Sequence, residues 1–422
     1  MAETLKHKTL RGTVWSSIER FSVQGIMFVV MIIMARILTP ADYGLVGMLT
    51  IFIAISQTLV DSGFSNALIR KQDRTETDNS TVFYFNIAVA ALLYLILALC
   101  APLIARFYNE PQLTELTRVI GLSIVISSFA GVQRALLTVD IDFRTQAKAS
   151  LTAAVISGAV GIATAYGGLG VWAIVWFQLT NQAVNCLLLW VLSKWRPRLL
   201  YSWRSFRELF TFGSKLAASA LLETLYSNIY LLVIGKVFKA SDLGYYTRAQ
   251  QFAAFPSSNL TGILQRVTFP VLCTIQDDDE RLRSVYRRFL RLSAFIIFPL
   301  MVGLAVVAHP LVLLLLKEQW IFAATLLSIL CFSMMWFPIH AINLNLLMVK
   351  GRSDLFLKLE IIKKFIGVGI LCITVPLGLI PMTVGSIVIC ILCLAVNTHY
   401  TGRLIHVGFW MQMRDICPSL LY

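Results

Sequence analysis

The sequence predicts an all-α membrane protein of about twelve transmembrane helices, arranged as two repeated six-helix bundles around a central cleft. Three observations carry that prediction. First, 58% of the 422 residues are hydrophobic and 14% charged, where soluble domains have about 45–50% and about 25%. A single water-soluble core cannot absorb such an excess, and the mean hydropathy of +0.76 agrees. Second, apolar runs of about 20 residues, the length that crosses a bilayer, recur from end to end. Third, the chain resembles itself at an offset of 200: ARILTPADYGL at 35–45 meets GKVFKASDLGY at 235–245, pairing Asp42 with Asp242 and Gly44 with Gly244.

The spans follow in order. The first, 13–35, comes after Lys6, Lys8 and Arg11, carries Glu19 and Arg20, and lacks the small-residue cleavage site of a secretory signal, so it is expected to stay in the membrane. Its polar residues Ser16, Arg20 and Gln24 recur at helical spacing. Spans at 43–65, 82–105, 115–138 and 147–166 follow, with Asp61 near the end of the second. Gly167-Gly168-Leu169-Gly170 turns the chain into the sixth span, 170–193. A basic linker over 194–211 then separates the first bundle, residues 1–193, from the second, 212–404.

The second bundle opens with a span at 212–235 whose Ser219, Glu223, Tyr226, Ser227 and Tyr230 repeat the polar pattern of the first. The eighth span, 244–270, is the least lipid-like. Arg248, Gln251, Phe255, Asn259, Gly262 and Arg266 recur at steps of three and four and form one stripe, which suits a helix facing a polar cavity. Spans at 289–315, 321–348, 356–376 and 380–402 complete the set, and residues 405–422 form a short tail that reads as the start of a further helix. The later offsets of the repeat drift to 208 and 210, pairing Pro102 with Pro310 and Gly168 with Gly378. An even number of spans per unit gives both copies the same orientation, the arrangement in which transporters place a path between two halves.

Charge fixes the expected orientation. The chain has 36 basic and 22 acidic residues, a net charge of +14. With the N-terminus inside, 25 cations fall in cytoplasmic segments and 6 on the opposite side. The excess therefore reports topology rather than nucleic-acid binding. The eight cysteines lie mostly in apolar runs, so no disulfide framework is indicated, and Cys390-x-x-Cys393 reads as packing rather than as a metal or redox pair.

Catalytic patterns are weak. Asp277-Asp278-Asp279 opens a charged loop without a soluble domain to hold a nucleotide, His340 is a lone histidine in a span, and there is no phosphate-binding loop or zinc-protease motif. Ionisable side chains inside spans are the stronger signal, because they are costly there unless paired or facing water. Arg20, Arg266, Lys363 and Lys364 lie one to two turns from the inner ends of their helices, Glu223 near mid-membrane, and Arg248 near the outer end. Glu360 is the remaining carboxylate of the eleventh span.

Several segments resemble the polysaccharide flippases, the Wzx-type lipopolysaccharide and colanic acid exporters of the superfamily that also holds multidrug exporters and lipid II flippases. They are ARILTPADYG at 35–44, DSGFSNALIRK at 61–71, RALLTVDIDF at 134–143, RVTFPVLCTIQDDDERLR at 266–283 and LLMVKGRSD at 346–354. Members of that family usually continue with further helices past the point where this sequence reads DICPSLLY. The resemblance implies translocation of undecaprenyl-pyrophosphate-linked oligosaccharide from the cytoplasmic to the periplasmic leaflet of a bacterial inner membrane, for surface polysaccharide synthesis, by alternating access. It implies a transporter rather than an enzyme, with no cofactor beyond a proton or sodium gradient. The expected partners are the lipid-linked oligosaccharide, membrane lipids, a polysaccharide polymerase and a chain-length regulator, with no nucleic acid.

On this reading Arg20, Arg248, Gln251, Asn259, Arg266, Lys363 and Lys364 are the candidates for the substrate path, with Arg266 and Arg20 first, because cations at inner depth suit an incoming pyrophosphate. Glu223, Glu19 and Asp61 are the candidates for ion coupling. Two alternatives stand beside it: a cation-coupled exporter of drugs or other small molecules, and a membrane enzyme or scaffold of polysaccharide assembly.

Overall fold

The computed structural model describes residues 2–61 and 63–420, with side chains described from Trp15 onward apart from residues 16–18, 212 and 420. Ser16 and the N-terminal cations Lys6, Lys8 and Arg11 thus lie outside the described side chains. Among the described residues every regular element is a helix. Contacts divide the chain into two compact units, residues 1–244 and 245–422.

The first unit holds α1 (Ala2–Ile37), α2 (Pro40–Asp61), α3 (Phe64–Arg70), α4 (Glu76–Tyr108), α5 (Leu113–Ser128), α6 (Gly131–Val139), α7 (Phe143–Tyr166), α8 (Val171–Leu192), α9 (Trp203–Ser227) and α10 (Ile229–Val237). Its centre is built on small residues. Ala149, Ala153, Ala154, Ser157, Gly158 and Gly161 are buried on α7, where a Cβ at Gly158 would meet Val30 of α1 at 2.6 Å and one at Gly161 would meet Phe177 of α8 at 2.9 Å. With no aqueous drive to bury apolar surface inside lipid, such close backbone approach supplies the packing that holds α1, α7 and α8 together.

The basic linker is stitched to this unit. Trp195 Nε1 donates to Glu76 Oε2 at 2.9 Å, and the backbone N–H groups of Arg198 and Ser202 donate to Ser80 Oγ and Thr81 Oγ1 at 3.2 and 3.1 Å. Beside it the rings of Phe64, Phe85 and Phe206 pack at a tilt, with centroid distances of 4.8 and 4.9 Å. Lys71 bridges Asp78 at 3.2 Å and Glu208 at 3.1 Å. The linker and the seventh expected span therefore belong by contact to the first unit.

The second unit carries most of α11 (Ala240–Cys273), then α12 (Asp279–Val306), α13 (Ala308–Leu316), α14 (Ile321–Met334), α15 (Phe337–Val349), α16 (Ser353–Thr374), α17 (Leu379–Ile405) and α18 (Phe409–Ile416). Tyr286, Phe298 and Trp320 are fully buried in it. The tail is a short helix locked to this unit. Gln412 of α18 accepts from Asn343 Nδ2 at 3.0 Å and donates to Tyr286 OH and Val407 O at 3.2 and 3.1 Å. Arg287 grips Asp415 with two bonds of 2.6 and 2.8 Å.

Each of the twelve expected spans falls on a helix or a broken helix. Among the described residues nine helical stretches are long and apolar enough to cross a membrane, or ten when the pair α9 and α10, bent by 41°, is taken as one. α11 and α16 are helical but more polar, α16 because it carries Lys358, Glu360, Lys363 and Lys364. Several spans are broken where the sequence reads as continuous. α2 gives way to α3 at Gly63, whose φ of 68° suits glycine, and α5 gives way to α6 at Phe129 and Ala130.

Candidate translocation site

Those two breaks build a chamber. The end of α2, one face of α3, the end of α5, α6, Gln182 of α8 and one face of α9 line a chamber of about 480 Å³ inside the first unit. Unbroken helices would run past one another there. At the break, Gly63 sits so close to α9 that a Cβ would stand 2.8 Å from Gly213 O, which lets α9 close one side.

The lining is polar. Gln57 and Asp61 project one turn apart from α2, Ser65 and Asn66 from α3, Arg134 and Thr138 one turn apart from α6, and Gln182 from α8. Leu216, Ala217 and Ala220 of α9 give the apolar wall. Thr58 Oγ1 and Thr224 Oγ1 share a hydrogen bond of 3.0 Å that ties α2 to α9 at its edge. Arg134 is held from behind: its Nη2 donates to Asn185 Oδ1 at 3.1 Å, and Asn185 Nδ2 reaches Ser150 Oγ at 3.5 Å. The remaining guanidinium donors are left for the chamber, which the Asp61 carboxylate also lines. One cation, one carboxylate and a set of amides and hydroxyls can meet both an anionic group and the hydroxyls of a sugar.

The sequence-derived candidates fall elsewhere, with one exception. Asp61 lines the chamber. Glu19 is half-buried and Arg20 exposed on α1, outside the lining. Glu223 is exposed on α9, beside Thr224 and one turn beyond Ala220. In the second unit, Gln251, Phe255 and Arg266 are exposed on α11, while Ala249, Phe252, Ser257, Leu264 and Thr268 are buried. Arg248 Nη1 donates to Gln251 Oε1 at 2.6 Å, and Asn259 Nδ2 donates to Phe255 O at 2.8 Å. On α16, Lys363 pairs with Glu360, and Lys364 is half-buried beside it.

The motifs set aside have structural roles. Asp278 caps α12 by accepting from Arg281 N at 3.0 Å, and Asp279 pairs with Lys350 at 2.7 Å. His340 is half-buried between Cys390 Sγ at 3.2 Å and Asn397 Nδ2 at 3.0 Å. The site residues that sequence reasoning missed are Gln57, Asn66, Arg134 and Gln182. Gln57, Arg134 and Gln182 lie inside expected spans, and polar residues on three neighbouring spans were the available signal.

Residues 33–325 match the family model described as polysaccharide biosynthesis protein. The chain belongs to that family. It is 29% identical over 391 residues to the lipopolysaccharide biosynthesis protein WzxC of Escherichia coli K12, covering 92% of this chain and 79% of that one. It is 27% identical over 355 residues to the teichuronic acid biosynthesis protein TuaB of Bacillus subtilis, covering 83% and 73%. Its fold matches the lipid II flippase MurJ in an inward closed conformation with a TM-score of 0.77 at 12% identity, over 97% of this chain and 91% of that one. An inward-facing multidrug MATE transporter matches at 0.70 and 17% identity, over 94% and 100%. This member of the polysaccharide biosynthesis family is thus a membrane protein with the fold of flippases and exporters.

Proposed function

We propose that the chain carries an undecaprenyl-pyrophosphate-linked oligosaccharide from the cytoplasmic to the periplasmic leaflet of a bacterial inner membrane, by alternating access between two six-helix halves. The observation that carries this reading is the chamber: Arg134 beside amides and hydroxyls, within the membrane helices of a polysaccharide biosynthesis protein. A guanidinium binds phosphate oxygens two at a time, and the neutral groups replace the water that sugar hydroxyls lose on entering. In the second unit, the exposed Gln251 and Arg266 of α11 and the cations of α16 are further candidates for contact with the substrate. The charge asymmetry supports a cytoplasmic N-terminus and linker.

Glu223 is our choice for coupling to a proton or sodium gradient, since a carboxylate at mid-span can take up and release a cation between open states. A polymerase and a chain-length regulator are the proposed neighbours in assembly.

The test is flux in proteoliposomes with a fluorescent polyprenyl-pyrophosphate oligosaccharide. Transport is expected for the lipid-linked sugar and not for the same oligosaccharide released from its carrier. Equal flux of cationic dyes, with none of the lipid-linked sugar, would move the chain to the small-molecule exporters.

A further inference from the structure

The second unit has a cationic pocket on a different surface, formed where α18 meets α12 and enclosing about 720 Å³. Arg288, Arg291, Leu292 and Phe295 line it from α12, and Arg414 and Asp415 from α18. The α12 residues recur at steps of three, one and three, so they share one helical stripe. From Arg288 to Phe295 that stripe rises about 10 Å, passing from charge to hydrocarbon. On a helix long and apolar enough to cross a membrane, it is a short ladder from charge to hydrocarbon.

Three features make this more than a solvated basic face. Arg287, next on the helix, is consumed by its two bonds to Asp415, which neutralises the pocket's one carboxylate. Arg288, Arg291 and Arg414 take no hydrogen-bond or ion-pair partner among the described residues, so three guanidinium groups line one pocket with no described anion paired to them. Below them Leu292 and Phe295 are 48% and 60% exposed, continuous with exposed Ile296 and Leu300 on the outward side of α12. The walls are fixed, because α18 is pinned by buried Gln412 while Trp410, 84% exposed, faces outward where an indole anchors at a membrane interface.

We propose that this pocket binds the phosphate of an anionic phospholipid, with the headgroup on Arg288, Arg291 and Arg414 and an acyl chain along Leu292 and Phe295. The lipid would fasten α18 to the bilayer and brace the second unit. The proposal does not depend on the transport reading. A water-soluble anion satisfies the arginines alone. A phospholipid satisfies the apolar ladder as well, which is why the assignment is to a lipid.

The experiment uses the full chain, purified and delipidated in detergent, titrated with phosphatidylglycerol, phosphatidylethanolamine or inorganic phosphate, with bound lipid counted by native mass spectrometry. Each arginine near a membrane surface is expected to contribute about fivefold, so replacing all three with Gln should weaken phosphatidylglycerol binding about a hundredfold and leave phosphatidylethanolamine unchanged. Unchanged phosphatidylglycerol binding in the triple variant would overturn the site. Inorganic phosphate displacing phosphatidylglycerol at millimolar concentration would show a simple anion site and overturn the lipid assignment. A second measurement keeps all three arginines: with the photoreactive substitution Phe295→benzoylphenylalanine, crosslinking to labelled phosphatidylglycerol should be competed by unlabelled phosphatidylglycerol and not by phosphatidylethanolamine. Equal competition by both would also overturn it.

Discussion

Gly44 and Gly244 stand in a reciprocal relationship. A Cβ placed on Gly44 would lie 1.7 Å from the carbonyl oxygen of Ala240, the residue that opens α11, and one on Gly244 would lie 1.8 Å from the carbonyl oxygen of Pro40, which opens α2. Each glycine, one turn into its helix, receives the first residue of the other helix. The turns themselves match. Asp42 Oδ2 accepts from Thr39 N at 2.8 Å, and Asp242 Oδ2 accepts from Lys239 N at 3.2 Å. These are the residues that pair at the sequence offset of 200, so the likeness between the two segments ends in a direct backbone contact.

Neither contact has a flexible side chain to yield, so Gly44→Ala and Gly244→Ala must displace main chain. Each is expected to destabilise by about 1–3 kcal/mol or more. Gly303→Ala, in the last turn of α12, is the control, since a Cβ there meets nothing within 4 Å, and a Gly→Ala change at helical φ/ψ is then expected to stabilise by about 0.4–1 kcal/mol. Thermal melting in detergent should move in opposite directions for the two kinds of variant. A neutral Gly44→Ala would mean that the two helix starts are not in contact in solution.

In the chamber, Arg134→Ala is expected to reduce transport at least tenfold at matched membrane expression, because removing a charge-assisted contact costs about 1.5–3 kcal/mol. Asn185→Leu should act in the same direction but less, since it removes the acceptor that positions Arg134 and leaves the charge in place. Melting temperatures should stay near wild type for Arg134→Ala, whose side chain is exposed to the chamber. Surface polysaccharide restored in full by Arg134→Ala would exclude the chamber from the path.

Much of the fold was legible because a membrane simplifies the reading: length and apolarity mark helices, and charge marks their ends. Of the stripe read on α11, the structure leaves Gln251, Phe255 and Arg266 exposed, while Arg248, Asn259 and Gly262 are half-buried. The chamber was not legible. It depends on breaks at Gly63 and Ala130 within spans that hydropathy alone draws as continuous. Arg134 carried an opposite signal: it lies in the expected fourth span, yet close enough to its end to be counted with the cytoplasmic cations. Which polar side chains converge depends on how spans two, four and six pack, and periodicity within one helix says nothing of that.

At the linker, Lys71 connects Asp78, whose side chain is 2% exposed, to Glu208 of α9. Burial works against its charge, but the carboxylates of Glu208 and Asp78 hold the Lys71 ammonium above its ordinary value. A group whose pKa is higher folded than unfolded contributes its stability in full below the unfolded value, and loses it as pH rises through the folded one. The clamp is therefore expected to be complete at neutral pH and to weaken only above about pH 10.4. Lys71→Met should lower the melting temperature at pH 7, at a cost of about 1–3 kcal/mol for the buried acceptor left behind. The gap to wild type should narrow as the pH is raised beyond about 10.4. A gap that stayed constant with pH would assign the loss to packing.

Arg266 tests the chemistry of the α11 stripe. It is exposed on a helix where Leu264 and Thr268 are buried, and no packing requirement explains a guanidinium there. If it binds pyrophosphate, two oxygens are held at once by a planar fork, which an ammonium cannot reproduce. Arg266→Lys is then expected to lose most of the surface polysaccharide in complementation of a flippase-deficient strain, and Arg266→Ala nearly all, at equal membrane abundance. A residue that only reaches for the headgroups predicts a different pattern, because lysine snorkels as well as arginine does. Lys358→Ala, an exposed cation near the start of α16, serves as the control and should leave polysaccharide near the wild-type amount. Full complementation by Arg266→Lys together with loss in Arg266→Ala would mean that position 266 needs only a positive charge, and would remove bidentate recognition from the mechanism.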